Sequence, residues 1–458
     1  MKKVNSFLMI LFLGIPFLWS SSVNGQENDT TTRYNQYGVK VNRTPLLPEE
    51  RNGTLVLEAK DKSYKIWYDA RVQVDGAMFY GDTYNDIGNG TSIRRARFAV
   101  KAEFAKNWYG EFDMDISNSE LELKDAYVKY FNDAGLEVQV GNFKEGFSME
   151  ATTTSRYLTF IERPNAVATF APSRHIGVAA SYSKNWLFAM GGVHFQEVGG
   201  LEERIFSEDN NKDVGMDEGY SYTGKVVIMP FHKDNRMGLH LGGAYSYRTP
   251  KTDAEVPYTL RYSTRSLTSI NRKKYMDTDL MGDVDYATLT GLEFAGYYEG
   301  LRLQGEYMMS SVVKDKDLPT ENFDGFYVFG TYLLFGGKYN YDKGAAEFTQ
   351  PTRGKDWGDV ELALRYDYLN LNSDVDQVMG GSGEGYTLGL NYYINNNVKI
   401  MLNYIYMNHD RWANGKNKLF VGYDENGELT KNPRNVVDSN GSAGEDYSIL
   451  SIRFEVDF

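Results

Sequence analysis

The sequence predicts an all-β fold, a transmembrane antiparallel β-barrel of about sixteen strands with long loops at one end. Three observations carry this. Beyond residue 20 no apolar run approaches the roughly 18–20 residues that a helical span needs, yet the chain is 41 % hydrophobic and 14 % aromatic. Apolar and polar residues alternate with period two in segment after segment. The links between segments alternate too, tight turn against long loop, which is the rhythm of an outer-membrane barrel.

Residues 1–25 read as a secretory signal. Lys2 and Lys3 form a basic start, Phe7 to Trp19 an apolar stretch too short for an anchor, and Ser20 to Gly25 a compact cleavage region before Gln26. Residues 26–63, polar and carrying Pro45 and Pro48, read as a periplasmic leader. A short hairpin is expected at its end, Leu55-Val56-Leu57 facing Tyr64-Lys65-Ile66 around Asp61-Lys62-Ser63. The barrel is assigned residues 64–458. The sequence holds no cysteine, so an exported fold of this kind is held by closure of its strand ladder and not by disulfides.

From Tyr64 the alternation is clear. Ile66, Tyr68, Ala70, Val72 and Val74 share one face, and Asp69, Arg71, Gln73 and Asp75 the other. Ala96, Phe98, Val100, Ala102 and Phe104 stand opposite Arg95, Arg97, Lys101 and Glu103. Trp108, Phe112, Met114 and Ile116 stand opposite Glu111, Asp113 and Asp115. The remaining strands are expected near 121–131, 136–144, 174–183, 186–195, 220–230, 237–248, 286–297, 301–313, 324–335, 357–371, 384–394, 398–408 and 447–458. Those near 187, 289 and 327 alternate poorly, and the link 336–356 is long where a short turn is due. The last strand closes on Leu450, Ile452, Phe454, Val456 and Phe458. A terminal aromatic on such a strand resembles the signal read by the outer-membrane assembly machinery. The 35 tyrosines suit the two lipid–water interfaces, where ring and hydroxyl are both satisfied.

Several segments resemble the phosphate-selective porin O and P family. They are Thr91-Ser92-Ile93-Arg94-Arg95-Ala96-Arg97, Gly141-Asn142-Phe143-Lys144, Phe147-Ser148-Met149-Glu150 and Phe160-Ile161-Glu162-Arg163. Arg174 with Gly177-Val178, and Glu361-Leu362-Ala363-Leu364-Arg365-Tyr366-Asp367, extend the likeness across residues 55–458. Gly146 departs from it, standing where the family often places Pro. The resemblance implies a sixteen-stranded homotrimeric porin in the outer membrane of a Gram-negative bacterium, its third loop folded in to constrict the pore. The family's central arginine ladder cannot be mapped onto this sequence residue by residue.

Arg95, Arg97 and Lys101 project to one side, taken as the lumen, and Glu111, Asp113 and Asp115 of the next strand project the same way. Opposed charge on neighbouring walls sets up a transverse field across a pore; paired, the same residues form a salt-bridged lining. In the third loop Lys144, Arg156, Arg163 and Arg174 outnumber Glu145, Glu150 and Glu162 by one. These residues form the expected solute path, for small hydrophilic solutes and chiefly anions such as phosphate. The formal charge of −13 argues against nucleic acid as a partner; membrane lipid and the assembly machinery are the expected ones.

No cofactor or metal is expected. The five His are scattered, and Gly380-Gly381-Ser382-Gly383-Glu384-Gly385 lacks a P-loop's Lys and Thr. Asp209, Asn211 and Asp213 begin like an EF-hand, but Val214 takes the Gly position and Tyr220 that of the bidentate Glu. That segment, 208–218, reads as a solvated acidic loop. A structural barrel with a closed pore is the main alternative. A barrel enzyme is the lesser one, since no Ser, His and acid set can be placed.

Overall fold

The computed structural model describes residues 32–458 except 43, 82, 84, 85, 118, 120, 199–212, 217, 234, 235, 251–255, 272, 316, 374, 376, 377, 411, 414–418, 421, 433, 434 and 438–443. The expected signal, and residues 208–212 and 217 of the acidic loop, lie outside the described residues. The chain divides at Pro45. Before it, Arg33–Tyr34 pairs antiparallel with Lys40–Val41.

From Leu46 onward the chain builds one closed barrel. Its wall strands are β1 (Tyr64–Tyr80), β2 (Gly90–Phe104), β3 (Trp108–Asp115), β4 (Glu122–Phe131), β5 (Leu136–Lys144), β6 (Arg174–Lys184), β7 (Leu187–His194) and β8 (Ser221–Ile228). They continue as β9 (Met237–Arg248), β10 (Val284–Tyr298), β11 (Leu301–Lys314), β12 (Glu321–Leu333), β13 (Asp359–Ser373), β14 (Val378–Tyr393), β15 (Val398–His409) and β16 (Glu445–Asp457). Each pairs antiparallel with the next, and β16 closes on β1 from Ser448↔Tyr80 to Asp457↔Arg71. The expected hairpin is present and larger: Leu46–Arg51 pairs with Thr54–Ala59, which adds to β1 through Leu57↔Ile66 and Val56↔Trp67.

Alternation explains the wall. On the outside Val72, Val74, Phe98, Phe112, Leu292, Leu364, Leu402, Ile452 and Phe454 are exposed, as a lipid-facing surface requires. On the inside Gln73, Asp75, Asp113, Glu361, Asn391 and Arg453 are buried. Register shifts interrupt this in four pairings, β1–β2, β3–β4, β10–β11 and β13–β14, and the first two re-aim a basic side chain. The β1–β2 register jumps from Gln73↔Arg95 to Val74↔Ile93, and the β3–β4 register from Asp113↔Asp125 to Met114↔Leu123. Each leaves one unpaired residue, Arg94 and Lys124, and a bulge re-aims such a side chain.

The inside of the barrel is not uniformly wet. The segment 145–173 folds into it as α1 (Met149–Thr152), a single 3₁₀ turn (Ser155–Tyr157) and α2 (Asn165–Phe170). Its Phe147, Phe160, Val167 and Phe170 share a buried cluster with Leu289, Met308, Phe323, Tyr327, Phe329 and Leu369 of the wall. Inward glycines make the seats. A Cβ on Gly291 would meet the Phe147 ring at 3.1 Å, on Gly389 the Phe160 ring at 3.2 Å, and on Gly325 the Ala166 Cβ at 2.9 Å.

The long link between β12 and β13 also turns inward. Tyr341–Asp342 and Glu347–Phe348 pair as a small hairpin. Ala346 packs on Phe188, Val227 and Met229, and Tyr339 and Phe348 pack with Met149, Tyr297 and Tyr393. Ser183 Oγ donates to the Lys343 carbonyl at 2.8 Å. The hairpin therefore reaches from β12 and β13 across to β6, β7 and β8. These two insertions explain the poor alternation of β7, β10 and β12: their inner faces are apolar because protein covers them.

Candidate functional site

The inserted loop is fastened to the wall by polar groups that alternation places in the lumen. Glu293 and Glu306 accept the Met149 and Glu150 backbone N–H groups, each at 2.8 Å. Asn403 accepts from the Ile161 N–H at 2.9 Å, and Asn391 donates to the Thr159 carbonyl at 2.7 Å. Arg365 and Lys399 donate to the carbonyls of Glu162 and Arg156, both at 2.8 Å, and Arg71 to Ser155 Oγ at 2.6 Å. Buried carbonyls and N–H groups of an irregular segment need such partners. Much of the lumenal charge on β10–β16 is thus structural.

What the loop leaves open lies on the other side. A cavity of about 660 Å³ runs between the inner faces of β1–β7, the loop at Gly146, Thr152, Thr154, Arg156 and Tyr157, and the hairpin at Asp342, Gly344 and Glu347. Seven basic side chains line it (Arg71, Arg97, Lys101, Lys129, Lys144, Arg156, Arg174), and seven acidic ones (Asp69, Glu111, Asp113, Asp125, Glu137, Asp342, Glu347). The formal charge of the lining is balanced, so any preference for one sign of ion arises locally.

Each residue of the sequence-derived path can be placed. Arg97 meets Asp115 at 3.0 Å and Asp113 at 3.8 Å. Lys101 meets Asp69 at 2.8 Å and Glu111 at 3.5 Å, while Tyr109 and Tyr127 donate to Glu111. Arg174 holds Asp125 with two bonds of 2.9 and 2.7 Å. Arg156, from the loop, pairs with Asp69. Lys144 donates to the Thr152 carbonyl at 2.7 Å, and Arg163 to those of Glu150 and Thr153 at 2.8 and 2.7 Å. Arg95, Asp115 and Arg163 do not line this cavity; Arg95 is buried and donates to Gln73 at 2.7 Å.

Arg94 escapes the alternation argument. Its bulge turns it inward beside Arg95, where it pairs with Glu162 of the loop. Arg453 reaches the same carboxylate at 3.4 Å and holds Asp75 at 2.7 Å. Burial pushes the Glu162 carboxyl up, but Arg94, Arg95 and Arg453 outweigh it and hold it well below the usual carboxylate range. At the loop's start Glu145 is likewise held low, against burial, by His175 and Arg248. Toward the long-loop end, Arg94, Arg163, Arg265 and Lys274 surround Glu162 in a second space of about 340 Å³. This cationic group is visible only after the fold brings residues 94, 163 and 265–274 together. Glu111, Asp113 and Asp125 lie within 4.8 Å of one another, but Lys101, Arg97 and Arg174 already stand against them.

The sequence model for phosphate-selective porin O and P matches residues 66–423. An uncharacterized protein of Caulobacter vibrioides is 28 % identical over 357 residues, covering 75 % of this chain and 68 % of its own. Porin O of Pseudomonas aeruginosa is 23 % identical over 396 residues, covering 79 % and 87 %. Among solved structures, outer-membrane expressed OmpT of Vibrio cholerae aligns with a TM-score of 0.51 at 11 % identity, over 86 % of this chain and 98 % of that one. Its in-vitro folded trimer form aligns with a TM-score of 0.50 at 12 % identity, over 86 % and 100 %. The lipid-facing wall, the closed sixteen-stranded ladder and the extent of the sequence match place this protein in the Gram-negative outer membrane, as a member of the phosphate-selective porin O and P family.

Proposed function

We propose that this porin passes small hydrophilic solutes by passive diffusion, with a modest preference for anions such as phosphate and no catalytic step. The water-accessible, charge-lined cavity between β1–β7 and the inserted loop carries this reading. Solute passes Arg97, Lys101, Lys144, Arg156 and Arg174, where the loop narrows the lumen and fewer waters screen each charge. Arg94 and Arg163, with Arg95 behind them, form the approach from the long-loop end, which faces outward. Glu111 and Asp113 in the lining, and Asp115 behind Arg97, offset the basic side chains beside them and keep the filter from being strict. The periplasmic leader precedes the barrel, the mature chain begins at Gln26, and three copies associate as they do in the trimer form of the Vibrio protein.

Planar-bilayer recording in a KCl gradient tests this. The wild type should conduct and give a reversal potential on the anion-selective side of zero. Arg97→Gln with Lys101→Gln leaves Asp69, Glu111, Asp113 and Asp115 undercompensated, and should move that potential toward cation selectivity. An unchanged potential would remove these side chains from the path. A silent wild-type barrel would favour a closed, structural role.

A further inference from the structure

One space in the barrel differs from the rest in chemistry. It measures about 390 Å³ and lies above the inserted loop, between the end of α2 and the tops of β9 and β10. Its floor is apolar: Phe170, Tyr262, Val284 and Leu289, all buried, with the Phe170 and Tyr262 rings edge to face at 5.2 Å. Phe195 and Tyr220 stand at its rim. Its basic side chains are engaged elsewhere, Arg248 and His175 with Glu145 at 2.8 and 2.7 Å and Arg261 with Asp277 at 2.7 Å, and exposed Glu197 adds a negative charge to the lining, so charge does not call for an anion here. Two uncharged polar groups are left over. Gln196 lines the space, is 7 % exposed, and its Oε1 has no hydrogen-bond partner among the described residues. Thr169 Oγ1, also in the lining, likewise has no partner among the described residues. A buried acceptor left unpaired is destabilising, and a space of roughly 300–1,000 Å³ with apolar walls and a few polar groups is the form small-molecule sites take.

We propose that this cavity binds a neutral aromatic molecule of one or two rings carrying an N–H or O–H donor. The ring lies on Phe170, Tyr262 and Leu289, and the donor is taken by Gln196 Oε1. The site is separate from the charged permeation path, so its occupancy does not depend on the solute that the pore passes.

Isothermal titration calorimetry of the full-length refolded barrel with indole, against a protein-free micelle blank, tests this. Saturable binding at one site per chain is expected. N-methylindole, which lacks the donor, should bind about tenfold more weakly, and Gln196→Leu should weaken indole by a similar factor. Ala287→Phe projects into the space and should abolish binding while wild-type conductance is kept. Absence of saturable indole binding overturns the site. Equal affinity for indole and N-methylindole overturns the role of Gln196, a result that does not depend on any variant folding.

Discussion

Glu293 joins three parts of the lumen, and its replacement has a calculable cost. One carboxylate oxygen accepts the Met149 N–H at the head of α1. The other meets Lys225 at 2.7 Å and His240 Nε2 at 2.9 Å, and His240 Nδ1 meets the Tyr341 hydroxyl of the hairpin at 2.6 Å. The Lys225 and Glu293 side chains are 2 % and 3 % exposed. Glu293→Gln keeps an acceptor for Met149 but strips Lys225 of its counter-charge. Breaking one side of a buried ion pair typically costs about 3–5 kcal/mol. Adding Lys225→Met removes the uncompensated charge and should recover most of that loss, leaving a coupling energy of about 2–3 kcal/mol. Equilibrium urea unfolding of the refolded barrel, followed by circular dichroism and by heat-modifiable migration, gives all four corners of the cycle. Two results would refute the reasoning: a Glu293→Gln barrel within about 0.5 kcal/mol of wild type, or losses that simply add in the double variant.

Two further outcomes are expected. Burial raises the Glu347 carboxyl of the hairpin from 4.5 to about 7, with Lys144 only partly opposing the rise. The docked hairpin then holds a proton that the undocked one releases, so docking is strongest below about pH 4.5 and weakens as pH rises toward 7. Hydrogen exchange over residues 338–350 should quicken across that window, and Glu347→Gln should flatten the dependence. Replacing Phe458, whose ring is exposed while its backbone pairs with Ala70, by Asp should lower the amount of assembled barrel far more than its synthesis. Normal recovery in the membrane fraction would remove the terminal aromatic as an assembly signal.

The wall of this barrel was legible because strand alternation is a local property. Lipid on one side and polar groups on the other impose period two within a few residues, so β1 to β16 fall close to where the pattern puts them. The exceptions carried information of another kind. Phe188, Leu289 and Phe329 break the alternation because Ala346 and the loop residues Phe147 and Phe160 lie against them. That is a relation between residues far apart in the chain, and no window of sequence contains it.

Charge divides in the same way. The sequence by itself determined that Arg97, Lys101 and Glu111 face inward, and the same alternation in β13 turns Arg365 inward, since side-chain direction follows from the pleat. Only the tertiary structure decided which of them line the open cavity and which hold the loop: Arg365 spends a bond on the Glu162 carbonyl, 203 residues away. Arg94 was beyond reach for a third reason. Its direction comes from a one-residue mismatch between β1 and β2, and a mismatch belongs to a pair of strands and not to either strand alone.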